Sequence, residues 1–197
     1  MNWFQPQSTF FQGIGKIFEI VIVCLLWFLT SLPIVTIGAS TTALYYVCTK
    51  VICHNRGYLI KEYFFCLKKS IRQTIIPWLV QCIVAFILCF NIRLCQLTQD
   101  SYLKYLEIPM WVLLTLLICF SVYYYALVAH FDNTTVQLIK YSVVIAILNL
   151  PSTILNIVIF LLIGILLYLL PQLSILAPGV MGMVLSMRLE PLFLNYE

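Results

Sequence analysis

Four stretches without a single Asp, Glu, Lys or Arg run through this chain: Ile20–Thr49, Gln73–Ile92, Ile108–Phe131 and Tyr141–Met187. About 20 mostly apolar residues suffice for a helix to cross the hydrocarbon core of a bilayer, and every one of these stretches reaches that length. Lipid offers no partners to unpaired backbone N–H and C=O groups, so only helices and closed barrels can span it. No apolar/polar alternation of period two runs through the stretches, which excludes a barrel. The fold expected is all-α, a polytopic transmembrane helix bundle.

The composition agrees. Only 9% of the residues are charged and 63% are hydrophobic, whereas soluble domains carry about 25% charge. Eleven basic and seven acidic side chains cannot cover the surface of a water-soluble domain of this size. No polar stretch is long enough for a second domain, so residues 1–197 read as one membrane domain. The net charge of +4 is too small and too dispersed to suggest a nucleic-acid partner.

Two stretches are too long for one span. The first contains Pro33 among Ser31, Thr36 and Gly38, and proline inside a helix removes a hydrogen bond and clashes with the preceding turn. The last contains Pro151, suited to a first helical turn, and Pro171-Gln172, which reads as a tight turn. Six spans follow, at about 14–32, 36–53, 73–92, 108–131, 152–170 and 172–189. Five is the alternative if the first stretch stays whole. The uncharged run from Ile20 is longer than the 7–15 residues of a signal-peptide core, so it is expected to remain in the mature protein.

Basic residues favour the cytosolic side. With six spans, Lys16, Lys50, Arg56, Lys61, Lys68, Lys69, Arg72, Lys140 and Arg188 fall inside and only Arg93 and Lys104 outside. Both termini are then cytosolic. Trp78, Trp111 and the run Tyr123-Tyr124-Tyr125 lie near expected span ends, where such rings settle at headgroup level.

Residues 54–72 form the expected cytosolic loop, with an amphipathic interfacial helix. Tyr63, Phe64, Leu67 and Ile71 recur with Ile60 at helical spacing, and Lys61, Lys68, Lys69 and Arg72 gather on another face. Such a segment suits anionic lipid or a cytosolic partner. Pro33, Gly38, Pro178, Gly179 and Gly182 are candidates for helix breaks or close helix packing.

No catalytic, cofactor-binding or metal-binding residues are expected. The eight cysteines lie mostly in apolar runs and form no C-x-x-C pair; Cys53-His54 lacks further ligands nearby, and His130 with Asp132 reads as a helix-end cap. Ionisable groups inside the spans, which mark proton and ion routes, are nearly absent, Glu19 being the exception.

Trp27 and the run Ser31-Leu32-Pro33-Ile34-Val35-Thr36-Ile37-Gly38-Ala39-Ser40-Thr41-Thr42-Ala43-Leu44-Tyr45-Tyr46 resemble the signature of the YesL-like family of bacterial integral membrane proteins, the domain of unknown function 624. Arg56-Gly57-Tyr58, Glu62-Tyr63-Phe64, Lys68-Lys69, Trp78 and the opening Asn2-Trp3-Phe4 extend the resemblance. Its specific part covers residues 1–80. Leu67 and Ile71 depart from it, standing where aromatics are usual. The resemblance implies a multi-pass protein of the plasma membrane of a Gram-positive bacterium, without catalytic residues to carry over. Family members tend to be encoded beside carbohydrate ABC transporters.

The function expected is therefore a non-enzymatic accessory or scaffold component of a carbohydrate transport system, with the lipid bilayer and ABC transporter subunits as partners. The alternatives are a small transporter or channel for a neutral solute such as a sugar, and a membrane sensor acting through its basic inner loop.

Overall fold

A computed structural model describes residues 9–54, 57–97, 105–131, 133–170 and 176–193. Among them there is no strand. Seven α-helices follow one another: α1 (Thr9–Ser31), α2 (Ile37–Val47), α3 (Leu59–Leu97), α4 (Glu107–His130), α5 (Thr135–Leu148), α6 (Leu150–Leu169) and α7 (Ala177–Phe193). A 3-10 turn, Ile34–Thr36, leads into α2, and a π-helical turn, Cys48–Cys53, leaves it.

Each break has a local cause. The residue before a proline avoids the helical region, and α1 stops two residues before Pro33. The Thr36 hydroxyl then donates to the Thr30 carbonyl at 2.6 Å and lies 2.7 Å from the Pro33 carbonyl, so carbonyls exposed at the turn find a donor. The start of α5 is held by a capping box between Thr134 and Gln137. Asn149 leaves the helical region (φ −108°, ψ 47°), and α5 and α6 meet there at 93°.

Two of the described helices, α3 and α4, are long and apolar enough to cross a membrane; α5 with α6 makes a third if the bent pair is one span. The six spans expected from charge-free runs, and the alternative of five, are not what these helices provide. A charge-free run makes a span only when the helix stays unbroken through it. Residues 36–53 instead divide into an 11-residue helix and a π turn, and the apolar part of α7, Ala177–Leu189, is short. The expected Pro171-Gln172 turn lies outside the described residues.

The expected interfacial helix at 54–72 is not separate either. Leu59–Leu97 is one helix of 39 residues, about 58 Å long, so the basic segment and the apolar stretch after it form one rod. Pro77 does not interrupt it. Only 6% of the most apolar window of α3 is buried, which leaves that surface to lipid or to another chain.

The short helix α2 lies at the centre of the bundle, packed on α1, α3, α4 and α7. One core cluster gathers Tyr123–Val128 of α4 with Tyr45, Leu138, Ile145, Leu185 and Leu189. A second gathers Val23, Ala43, Leu44, Val47, Val51, Ile52 and Tyr63 around the α1–α2 hairpin. Close approach needs small residues. A methyl group on Gly38 would lie 3.1 Å from Trp78 Cβ and 3.2 Å from the Tyr125 ring, and one on Gly182 would overlap the Leu44 side chain.

Candidate functional site

The run Tyr123-Tyr124-Tyr125 is not a headgroup belt. All three side chains are buried, and each hydroxyl reaches a different place. Tyr123 is 3.0 Å from the Thr153 hydroxyl on α6, Tyr124 donates to the Gln73 carbonyl at 2.8 Å, and Tyr125 donates to Gln81 Oε1 at 3.0 Å. Gln81 donates in turn to the Leu117 carbonyl at 3.3 Å. Successive helical residues point about 100° apart, so three consecutive tyrosines tie α4 to α3 at two points and to α6 at a third.

Interior hydroxyls elsewhere serve their own helices. Ser40, Thr41, Thr42 and Thr49 bond the carbonyl four residues earlier, at 2.9, 2.7, 3.0 and 3.0 Å. Ser70 and Thr74 do the same, at 2.8 and 2.9 Å.

Two cavities share a wall. The larger of the two, about 440 Å³, is lined by residues of α1, α2, α3, α4, α6 and α7, with Trp27, Trp78, Tyr125, Phe160 and Met181 among them. The smaller, about 220 Å³, is lined by Tyr45, Tyr46, Thr49, Lys50, His54, Ala129 and His130. Tyr45 borders both. The π turn places Lys50 and then His54 on the smaller cavity, and His130 arrives from the end of α4. Lys50 Nζ is 2.8 Å from Glu62 Oε2 and 2.9 Å from the Tyr46 hydroxyl, with its charge 5.2 Å from the Tyr46 ring centre. The hydrogen bond to Glu62 first, and then that to Tyr46, hold the Lys50 ammonium above the usual lysine pKa.

The residues singled out from the sequence are dispersed. Lys61, Lys68, Lys69 and Arg72 are exposed on α3. The apolar stripe proposed for this segment is split. Tyr63 is fully buried, its hydroxyl 2.7 Å from that of Thr30, while Leu67 and Ile71 are half-buried and Ile60 and Phe64 face outward. The face that α3 buries here is Tyr63, Cys66, Ser70 and Thr74. Pro33 is exposed at the hairpin tip. Gly38 and Gly182 are close-packing positions, and Pro178 and Gly179 belong to the first turn of α7 rather than to a break within it; Gly179 lies against Cys24 and Ile20.

Lys50, His54 and His130 escaped the sequence reading as a group. The signal available was scarcity, since the chain has only two histidines and both reach one cavity. Among the described residues no group of three or more His, Cys, Asp or Glu could hold a metal ion. Asp132, Arg56 and the Asn2-Trp3-Phe4 opening lie outside the described residues.

Residues 20–92 match the model of a family described as a protein of unknown function, DUF624. The matched segment takes in most of α1, the whole α1–α2 hairpin turn, the π turn and α3 as far as Ile92. It therefore contains Lys50, His54 and the shared wall at Tyr45, whereas His130 and the tyrosine hub lie beyond it. No curated protein and no solved structure matches the chain.

Proposed function

We propose that this chain is a non-enzymatic accessory or scaffold component of a membrane transport system for carbohydrate. The observation that carries the reading is the interior. A cavity of about 440 Å³ there is walled mainly by aromatic and aliphatic side chains, and most buried hydroxyls are bonded to their own helices or to the tyrosine hub. A sugar needs a line of exposed donors and acceptors through the bundle, because a buried polar group without a partner is costly. Such a lining favours packing against other chains over conduction of a neutral solute.

The partner class rests on the resemblance of residues 1–80 to YesL-like proteins, which tend to be encoded beside carbohydrate ABC transporters; the family matched over residues 20–92 is described only as one of unknown function. The outward apolar face of α3, with Ile83, Phe86, Ile87 and Phe90 exposed, offers a surface for a permease helix. The same resemblance supports a place in the plasma membrane of a Gram-positive bacterium, multi-pass, with both termini cytosolic. In this reading α1 and α2 form a re-entrant hairpin. Its turn meets α3 near the middle of that helix, where Trp78 donates to the Ile34 carbonyl at 2.7 Å, and Leu32 and Ile34 at its tip are exposed and apolar. Purification in mild detergent tests the function: permease or solute-binding subunits of a carbohydrate ABC transporter should co-elute, and their consistent absence would sink it.

A second reading, a membrane sensor, is favoured by one observation: the basic segment and the apolar stretch share the single rod α3. Changing Lys61, Lys68, Lys69 and Arg72 together to Gln should then abolish output while leaving insertion intact.

A further inference from the structure

We propose that the groove between α3, α4 and the first turns of α5 holds one anionic phospholipid, with its phosphate at Arg72 and an acyl chain running along α3 to Val84. The site stands apart from the partner reading above, because the residues that line it are not those named for a permease helix.

The groove has a volume of about 500 Å³, within the range of about 300–1,000 Å³ usual for ligand sites. Beyond Arg72 it is lined by Ile76, Pro77, Val80 and Val84 of α3 and by Leu117 and Phe120 of α4. Ile76, Val80 and Val84 recur every four residues and so form one ridge along the helix. Two hydrogen bonds fix the helices that carry these walls. Tyr124 donates to the Gln73 carbonyl at 2.8 Å. Gln81 donates to the Leu117 carbonyl at 3.3 Å, about 12 Å further along α3. Ile76 and Val80 remain 69% and 55% exposed, so the groove opens sideways to lipid.

Its polar groups are engaged except at one end. Gln73 Nε2 donates to the Asn133 carbonyl at 3.3 Å, and the Gln81 amide is bonded to both Leu117 and Tyr125. Arg72 lines the groove, is exposed, and makes no hydrogen bond or ion pair with another described residue. No Asp or Glu is among the described residues that line it. A guanidinium carries five N–H donors in a fork that matches phosphate, and such charge-assisted bonds are about twice as strong as neutral ones. Lys68, exposed one turn nearer the start of α3, adds to the positive charge at this end.

Depth selects a lipid over a smaller anion. Arg72 is the last charged residue before the uncharged stretch Gln73–Ile92. From Arg72 to Val84 the groove follows α3 for about 18 Å, close to half of the roughly 30 Å hydrocarbon core, which is the share of a single leaflet. A free phosphate leaves the apolar ridge uncovered, and a neutral hydrocarbon leaves the guanidinium unpaired. A phospholipid with a net negative headgroup covers both.

The test is a titration of the full chain, purified in detergent and freed of lipid, with phosphatidylglycerol or with phosphatidylcholine of the same acyl chains, read by native mass spectrometry. Phosphatidylglycerol should bind about fivefold more tightly, the preference that one basic side chain confers beside an anionic headgroup; equal binding overturns the proposal. Arg72→Gln should bring the two lipids to parity. Lys61→Gln, about 16 Å away on the same rod, should leave the preference in place; an equal loss in both variants means diffuse attraction to the basic segment and overturns the site. Val80→Trp, at an exposed position in the groove, should weaken both lipids and keep their ratio, and unchanged binding overturns the chain position. In native membranes a photoreactive residue at Val80 should capture lipid. Capture of a second copy or of another protein there instead makes the groove a protein interface and overturns lipid as its occupant.

Discussion

The Tyr124 hydroxyl donates to the main-chain carbonyl of Gln73 over 2.8 Å, and Gln73 is the residue four positions before Pro77. That carbonyl is the one a residue at 77 would bond through its N–H, which proline lacks. In lipid no water can replace the missing donor. A side chain on α4 therefore completes the backbone of α3, which is why α3 runs through Pro77 as one helix.

This pairing makes a double-mutant prediction. Tyr124→Phe should destabilise the protein by about 1–2 kcal/mol, the cost of leaving a buried carbonyl unpaired. In a Pro77→Ala background, where the backbone N–H returns, the same change should cost less than about 0.5 kcal/mol. Reversible unfolding in mixed micelles reads both numbers. Equal losses in the two backgrounds would show that Tyr124 acts through packing alone.

The two glycines of contrasting surroundings should behave oppositely. Gly182→Val places side-chain atoms where Leu44 stands, with Cys48 Sγ at 3.1 Å, and should cost about 1–3 kcal/mol by overpacking. Gly164→Ala meets nothing within 4 Å and replaces glycine in a helix, so it should be neutral or stabilising by up to about 1 kcal/mol. Thermal unfolding in detergent distinguishes them.

A re-entrant α1–α2 hairpin predicts an accessibility pattern. With the native cysteines replaced, single cysteines at Lys16 and Lys50 should react with a membrane-impermeant maleimide from the same side. One at Leu32 should be protected from both sides. Ready labelling of position 32 from the side opposite Lys16 would restore two full spans in this region.

The Lys50–Glu62 pair should show in alkaline unfolding. Lys50 has its pKa raised in the folded state, so its stabilisation is complete below the ordinary lysine value and is lost as pH rises through the higher folded value. The unaltered protein should lose this increment only above about pH 10.4, and Glu62→Gln should remove that limb. The pair is partly exposed, 36% and 21% at its two side chains, so screening limits the increment to no more than about 0.5 kcal/mol. A loss of the same increment near neutral pH would contradict the assignment.

Hydropathy and charge by themselves determined that this chain is helical, that it has helices apolar enough to cross a membrane, and where its long apolar stretches lie. Those properties depend on transfer from water, which each residue reports alone. Only the tertiary structure decided which faces meet. Lipid tails are as apolar as Leu or Ile, so an apolar stripe carries no signal for inward or outward once a helix is in the membrane. That is why Phe64 points out while Ser70 and Thr74 are buried, and why Tyr123-Tyr124-Tyr125 proved to be a hub instead of a belt. The gathering of Lys50, His54 and His130 around one cavity was equally out of reach, because it depends on how α2, its π turn and the end of α4 pack, and no local pattern encodes that.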